Sequence, residues 1–288
     1  MSTLNHKIDF AVVLSVRNAN PNGDPLNGNR PRQNYDGHGE ISDVCLKRKL
    51  RNRLQDMGEA ILVQSDDRRD DEFRSIKDRV DANAALQEHA KGKKADKERF
   101  AEVACQSWVD VRSFGQVFAF SGTDVSVGIR GPVSIHSAVS LAPIDISSMQ
   151  ITKSVNSVTS KDPDKKGPDT MGMKHRVDFG VYVFYGSINT QLAEKTGFTY
   201  EDALKIREAL RTLFENDASS ARPDGSMEVH DVFWWEHNSK LGQHSSAKVH
   251  RSLHIDLKEA GVVPQLYDAY EIHAVPLEGL EAQRYAGI

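Results

Sequence analysis

The chain has 288 residues, 39% hydrophobic and 27% charged, with a formal net charge of −4, long enough for a substantial core in one large domain or two small ones. No apolar run approaches the roughly eighteen residues of a membrane span, and the opening MSTLNHKIDF has no apolar signal core, so no membrane partner and a cytoplasmic location are expected. Cys45 and Cys105 lie far apart without a CxxC partner, which argues against a disulfide framework or a zinc site and leaves two packed thiols.

Lys7 to Arg17 is rich in valine and reads as a buried central strand. It runs into Asn18 to Asn34, NANPNGDPLNGNRPRQN, where six Asn, three Pro and two Gly in seventeen residues preclude a helix or strand. Gly and Asn tolerate positive φ, Pro fixes φ, and Asn and Asp bond their own backbone, so the segment is a structured surface loop. Ser42 then caps a helix whose Leu46, Leu50, Leu54 and Met57 share one face. Lys47, Arg48, Lys49, Arg51 and Arg53 place five cations in seven residues of that helix, and locally only Asp43 offsets them. A strand, a glycine-rich loop with free amides and a basic helix start together point to a polyphosphate partner. Lys47 and Arg51, one turn apart, form the pair best placed to share a phosphate face. The acidic net charge requires that positive charge be segregated to one part of the surface.

From Gln64 to Glu102 eleven acidic and ten basic residues occur among thirty-nine, without proline, which reads as an exposed helical insertion laced with charge pairs. Trp108 to Phe120 returns to apolar residues, and Val125 to Leu141 reads as strands interrupted at Gly131-Pro132. The polar stretch Gln150 to Met173, with KDPDKKGPD at its centre, reads as a long hairpin with a loop at its tip. Arg176 to Asn189 is a second central strand, with Val177, Phe179, Val181 and Val183 on one face and Tyr182 and Phe184 on the other. Its FGVYVF run partly matches an RNA-stacking aromatic motif but lacks that motif's leading basic-Gly pair, so core packing is the better reading. Thr199 with Asp202 forms an acidic capping box before Ala203, Ile206, Leu210 and Leu213, which predicts an amphipathic helix over Thr199 to Phe214. Strands are expected at Met227 to Glu236, His250 to Leu257 and Tyr270 to Val275.

Strand, helix, strands, strand, helix, strand is the order of a ferredoxin-like or RRM-like α+β fold, elaborated by one helical insertion and one hairpin. HExxH, GxSxG and GxxxxGK[ST] are all absent from the chain. On a strand, His250 and His254 would share a face yet stand roughly 13 Å apart, too far for one metal. Asp24, Asp36 and Asp43 are the candidates for a metal-dependent phosphodiesterase, although Asp is also the ordinary residue of turns and helix starts.

The segments NPNGDPLNGNRPR and DVCLKRKLRN closely resemble the N-terminal signature of the backbone subunit of type I-C CRISPR Cascade, in the seventh-numbered Cas family of the repeat-associated RAMP superfamily. DVRSFGQVFA, RGPVSIHSAVSLAPI and MGMKHRVDFGVYVFYGSIN resemble the same family, in the same order, so the likeness spans nearly the whole chain. The resemblance implies a single RAMP-type domain: a ferredoxin-like palm, a helical web or finger insertion about 58–115, and a β-hairpin thumb about 150–174. It implies a non-catalytic subunit without cofactor or metal. Such a subunit polymerises along CRISPR guide RNA so that the guide pairs with target DNA in antiviral defence. Its partners would be the guide, target DNA through the guide, further copies of itself, and other Cascade subunits, namely the guide-processing and large subunits. The alternative within the superfamily is a metal-dependent ribonuclease. Loop and helix residues Asn20, Asn22, Gly23, Asn27, Gly28, Arg30, Arg32, Lys47, Arg48 and Arg51, with Lys174, His175 and Arg176 on the thumb, are the expected RNA contacts. Met171 and Met173 are the expected thumb residues that wedge against a displaced base, the alternative being that they fill the palm core.

Overall fold

A computed structural model describes residues 2–90, 96–120, 126–155, 171–259 and 261–288. The chain begins with β1 (Ile8–Ala19), the short β2 (Gly23–Asp24) and β3 (Arg30–Pro31), β4 (His38–Ile41) and helix α1 (Asp43–Asp56). Helices α2 (Ile76–Ala82), α3 (Ala84–Ala90), α4 (Lys97–Ser107) and α5 (Val109–Phe114) follow. Next come β5 (Gly115–Ala119), β6 (Ser126–Arg130), β7 (Val133–Ile135), β8 (Ala138–Pro143), β9 (Ile146–Thr152) and the long β10 (Met171–Ile188). The remainder comprises α6 (Thr190–Thr196), α7 (Tyr200–Arg211), β11 (Met227–Glu236), α8 (Ser246–Arg251), β12 (Leu253–Leu257), β13 (Tyr270–Ala274) and β14 (Gln283–Ala286).

An antiparallel sheet in the order β14-β11-β1-β10-β8-β4 organises the chain, with β7 and β9 also paired to β10. The valine-rich β1 lies between β10, where Ile8 faces Ile188 and Ala19 faces Val177, and β11, where Phe10 faces Trp234. One face of the sheet packs Val12, Leu14, Tyr182, Phe184 and Trp234 against Leu46, Leu50 and Leu54 of α1 and Ala203, Ile206 and Leu210 of α7. The other packs Ala11, Val13, Val181, Phe233 and Trp235 against Val249 of α8 and Leu253 and Tyr270 of the β12–β13 ribbon. Cover on both faces is why β1 reads as a nearly continuous apolar run. It also buries Tyr182 and Phe184 completely, so the FGVYVF run is core.

The charge-laced stretch forms α2, α3 and the start of α4, and with its flanks it has a small core of its own, in which Leu62, Val80, Leu86, Phe100 and Trp108 pack with Phe118 of the separate β5–β6 ribbon. Cys105 lies in this core, where burial pushes its thiol up to about 12. The Thr199 capping box forms as expected, its hydroxyl receiving the Asp202 amide and the Asp202 carboxylate receiving the Thr199 amide. One expectation is corrected: His250 is not in a strand, because Ser245 accepts the Lys248 amide and starts α8, and the strand begins only at Leu253. Within Trp108 to Phe120, the first half is α5 and the second β5.

The layer containing α8 is tied to β1 through Asp9, which is fully buried. Its Oδ2 meets His237 Nε2 at 2.8 Å and Lys7 Nζ at 3.0 Å, and its Oδ1 lies 3.8 Å from His250 Nε2. Burial opposes the charge on Asp9, but hydrogen bonds from His237, Ser246 and Lys7 outweigh it and hold the carboxyl below its usual range. Burial depresses His250 and also His230. In the unfolded chain these two imidazoles take up protons near pH ~6.5, which the folded protein refuses, so their contribution is complete above that pH and is lost as pH falls. Asp9 acts in the same direction, below about pH 4. The melting temperature is therefore expected to fall between pH 7 and pH 5, and His250→Gln to flatten part of that slope. Equal slopes in calorimetry of the two proteins would contradict this account.

Candidate nucleic-acid interface

The Asn/Gly segment folds into a small hairpin. Strands β2 and β3 are joined by a 3-10 turn at Pro25–Asn27, with Asp24 Oδ1 accepting the Leu26 amide at 3.2 Å and Gly28 and Asn29 left-handed at φ 58° and 60°. Gly23 has no room for a side chain, since a Cβ there would lie 2.0 Å from Asn29 Oδ1. Asn20 donates from Nδ2 to the Asn29 carbonyl at 2.7 Å. Asn22 Oδ1 accepts both the amide and the hydroxyl of Ser42, at 2.9 and 2.8 Å, which ties the loop to the N-cap of α1. Asn20, Asn22 and Gly23 thus hold the loop's shape, while Asn27 and Gly28 lie at its exposed tip beside Leu26.

The loop is joined to the hairpin that follows β8. Strand β9 pairs with the first residues of β10, Met171 opposite Thr152 through Val177 opposite Ile146. These two strands are the arms of the hairpin expected between Gln150 and Met173, and 156–170 fall outside the described residues. Arg30 donates from Nη1 to Ser148 Oγ on β9 at 3.0 Å, and the same hydroxyl lies 2.8 Å from His175 Nδ1 on β10. Directly opposite residues share a face of an antiparallel pair, so Ser148, Gln150, Met171, Met173 and His175 lie on the Arg30 side. Lys174 and Arg176 lie on the reverse side with Met149 and Ile151. Met171 and Met173 are 64% and 56% exposed, which overturns the alternative that they fill the core. Leu26 and Tyr35, 98% and 104% exposed, stand at the apices of the turns on either side of Arg30 and Arg32. Tyr35 and Ser148 were not singled out from sequence. The Asn34-Tyr35-Asp36-Gly37 turn was the available signal for Tyr35, because an aromatic at a turn apex has nothing to pack on.

The basic helix differs from expectation. Each of its five cations has an internal partner, a carboxylate for four of them and a backbone carbonyl for Arg48. Lys47 pairs with Asp43 at 3.0 Å. Arg48 donates to the Val63 carbonyl at 2.6 Å, the buried Lys49 pairs with Asp217, Arg51 meets the fully buried Asp110 at 2.9 Å, and Arg53 meets Glu215 at 2.6 Å. Burial lowers the proton affinity of Arg48 and Lys49. Helix α1 is wedged between the sheet and the helical insertion, where a cation without an internal partner would carry a large desolvation cost. Lys47 and Arg51 therefore do not form a free phosphate-binding pair.

Of the carboxylates near the loop, Asp24 caps the turn and lies 3.5 Å from Arg32, and Asp43 pairs with Lys47. Asp36 is exposed. Among the described residues no three His, Cys, Asp or Glu side chains stand together as a metal site, and no helix is long and apolar enough to cross a membrane.

The sequence model of the family described as CRISPR-associated protein Cas7 matches residues 6–275. The chain belongs to that family. A CRISPR-associated protein Cas7 of Haloferax volcanii is 27% identical over 239 residues, 76% of this Cas7-family chain and 67% of the relative. Two solved structures are similar to this Cas7-family chain. A chain of a "CRISPR RNA-guided surveillance complex, pre-nicking" shares 17% identity at a TM-score of 0.48, covering 80% of this chain and 78% of that one. A chain of a "CRISPR RNA-guided surveillance complex" shares 16% at a TM-score of 0.43, covering 80% and 68%.

Proposed function

We propose that this chain is a non-catalytic, cytoplasmic backbone subunit of a type I-C Cascade surveillance complex, binding CRISPR guide RNA and polymerising along it beside the guide-processing and large subunits. The strand order β11-β1-β10-β8, with α1 and α7 on one face, supports a ferredoxin-like palm. The observation that carries the reading is the Arg30–Ser148–His175 junction, which brings the exposed Asn/Gly loop against the thumb arm that bears Met171 and Met173. Phosphates are held by Arg30 and Arg32 beside the exposed Asn27–Gly28 tip, with His175 close by. Lys174 and Arg176 meet the strand on the reverse side of the thumb. Asn20, Asn22 and Gly23 act by shaping the loop. None of these groups reads base edges, so sequence is left to pairing between guide and target DNA.

The test is assembly on RNA. Mixed with guide RNAs of increasing length, the purified protein is expected to form complexes whose mass rises in whole-subunit steps, with the RNA left intact in Mg²⁺. A single subunit bound at every length, or cleavage abolished by Asp24→Ala or Asp36→Ala in protein that remains folded, would overturn this reading.

A further inference from the structure

The β12–β13 ribbon has an inner and an outer face. Leu253, Ile255, Tyr270, Ile272 and Ala274 turn toward the core of the α8 layer, and this fixes the register. A slip of one residue would expose every one of them. The fixed register sets His254 directly opposite His273 and, one step along the same outer face, Asp256 opposite Glu271. All four are exposed. The two imidazoles stack with centroids 5.2 Å apart and planes 11° from parallel. Among the described residues neither ring has a hydrogen-bond partner, so the fold makes no use of their nitrogens.

We propose that His254 and His273 form a two-imidazole chelate for a divalent transition-metal ion of the Zn²⁺, Ni²⁺ and Cu²⁺ class. Directly opposed residues place their Cβ atoms about 4.5–5.5 Å apart, and imidazole binds Zn²⁺ at about 2.0–2.1 Å. Turning the two rings edge-on to a common point outside the ribbon therefore meets the distance without moving the backbone. Imidazole nitrogen selects this class of ion over Mg²⁺ or Ca²⁺, which take oxygen ligands. Asp256 and Glu271 lie two residues along, about 6.6 Å away by strand rise, and put negative charge beside the ion. Among the described residues no third ligand stands with the pair, so the remaining coordination positions are open to water or to a donor from another molecule. An ion held this way links β12 to β13 and stabilises the ribbon by mass action.

The experiment titrates untagged full-length protein with Zn²⁺ against a chromophoric chelator and follows melting temperature in parallel. One saturable site is expected, with a rise in melting temperature that Mg²⁺ does not produce. His254→Gln and His273→Gln are each expected to weaken that site by at least about tenfold and to remove the thermal shift, with unchanged circular dichroism because both side chains face solvent. The paramagnetic resonance spectrum of the wild-type protein loaded with Cu²⁺ provides an independent count of ligands, and hyperfine structure from two equatorial imidazole nitrogens is expected. Absence of a saturable site, the same affinity in both variants, or fewer than two coordinated imidazoles would overturn the proposal.

Discussion

Asp110→Ala is expected to cost about 3–5 kcal/mol, the range for removing one partner of a buried ion pair, against a total stability of roughly 5–15 kcal/mol. Asp110 has no solvent exposure, and each of its oxygens is engaged. Oδ1 accepts the Leu62 amide at 2.8 Å, and Oδ2 accepts the Val63 amide at 3.2 Å and Arg51 Nε at 2.9 Å. Removing the carboxylate strands two amides and a guanidinium at the seam between α1 and the helical insertion. Thermal unfolding is expected to shift down by about 10 °C. Asp110→Asn, which keeps an acceptor for the amides and loses the charge, should fall between wild type and Ala. A melting temperature within about 2 °C of wild type for the Ala variant would show that the seam does not hold the insertion to the sheet.

The double change Arg30→Ala and His175→Ala is expected to weaken guide RNA binding by roughly tenfold or more, since a charge-assisted hydrogen bond contributes about 1.5–3 kcal/mol. The loss should be equal for unrelated guide sequences, because backbone contacts do not read bases. Each phosphate contact removed should flatten the slope of log affinity against log salt by about 0.7. Lys174→Ala with Arg176→Ala provides the comparison from the reverse face of the β9–β10 hairpin. Both pairs lie outside the hydrophobic cores, so folding is monitored only as a control. If affinity and salt slope are unchanged by loss of Arg30 and His175, the junction between the loop and the β9–β10 hairpin is not where the phosphates lie.

What the sequence by itself determined is what short-range chemistry decides. The Ser42 cap and the Thr199–Asp202 capping box act over three residues, the left-handed Gly28 and Asn29 follow from local φ preference, and the valine-rich β1 shows a strand covered on both faces. The hairpin that follows β8 was legible from its polar, turn-rich sequence, and β9 and β10 pair there. Tertiary structure alone decided the fate of the basic helix: Lys49 meets Asp217 and Arg51 meets Asp110 across 168 and 59 residues, and no helical periodicity carries that information. It also decided that α8 interrupts the expected strand at His250 and that the chain's end returns as β14 beside β11. The pairing of His254 with His273 belongs to the same class, set by core residues that fix a register between strands separated by a long connection. Local propensity is a sum over neighbours in the chain, whereas the neutralisation of a buried charge and the register of two distant strands depend on which surfaces are desolvated together, and only the folded core settles that.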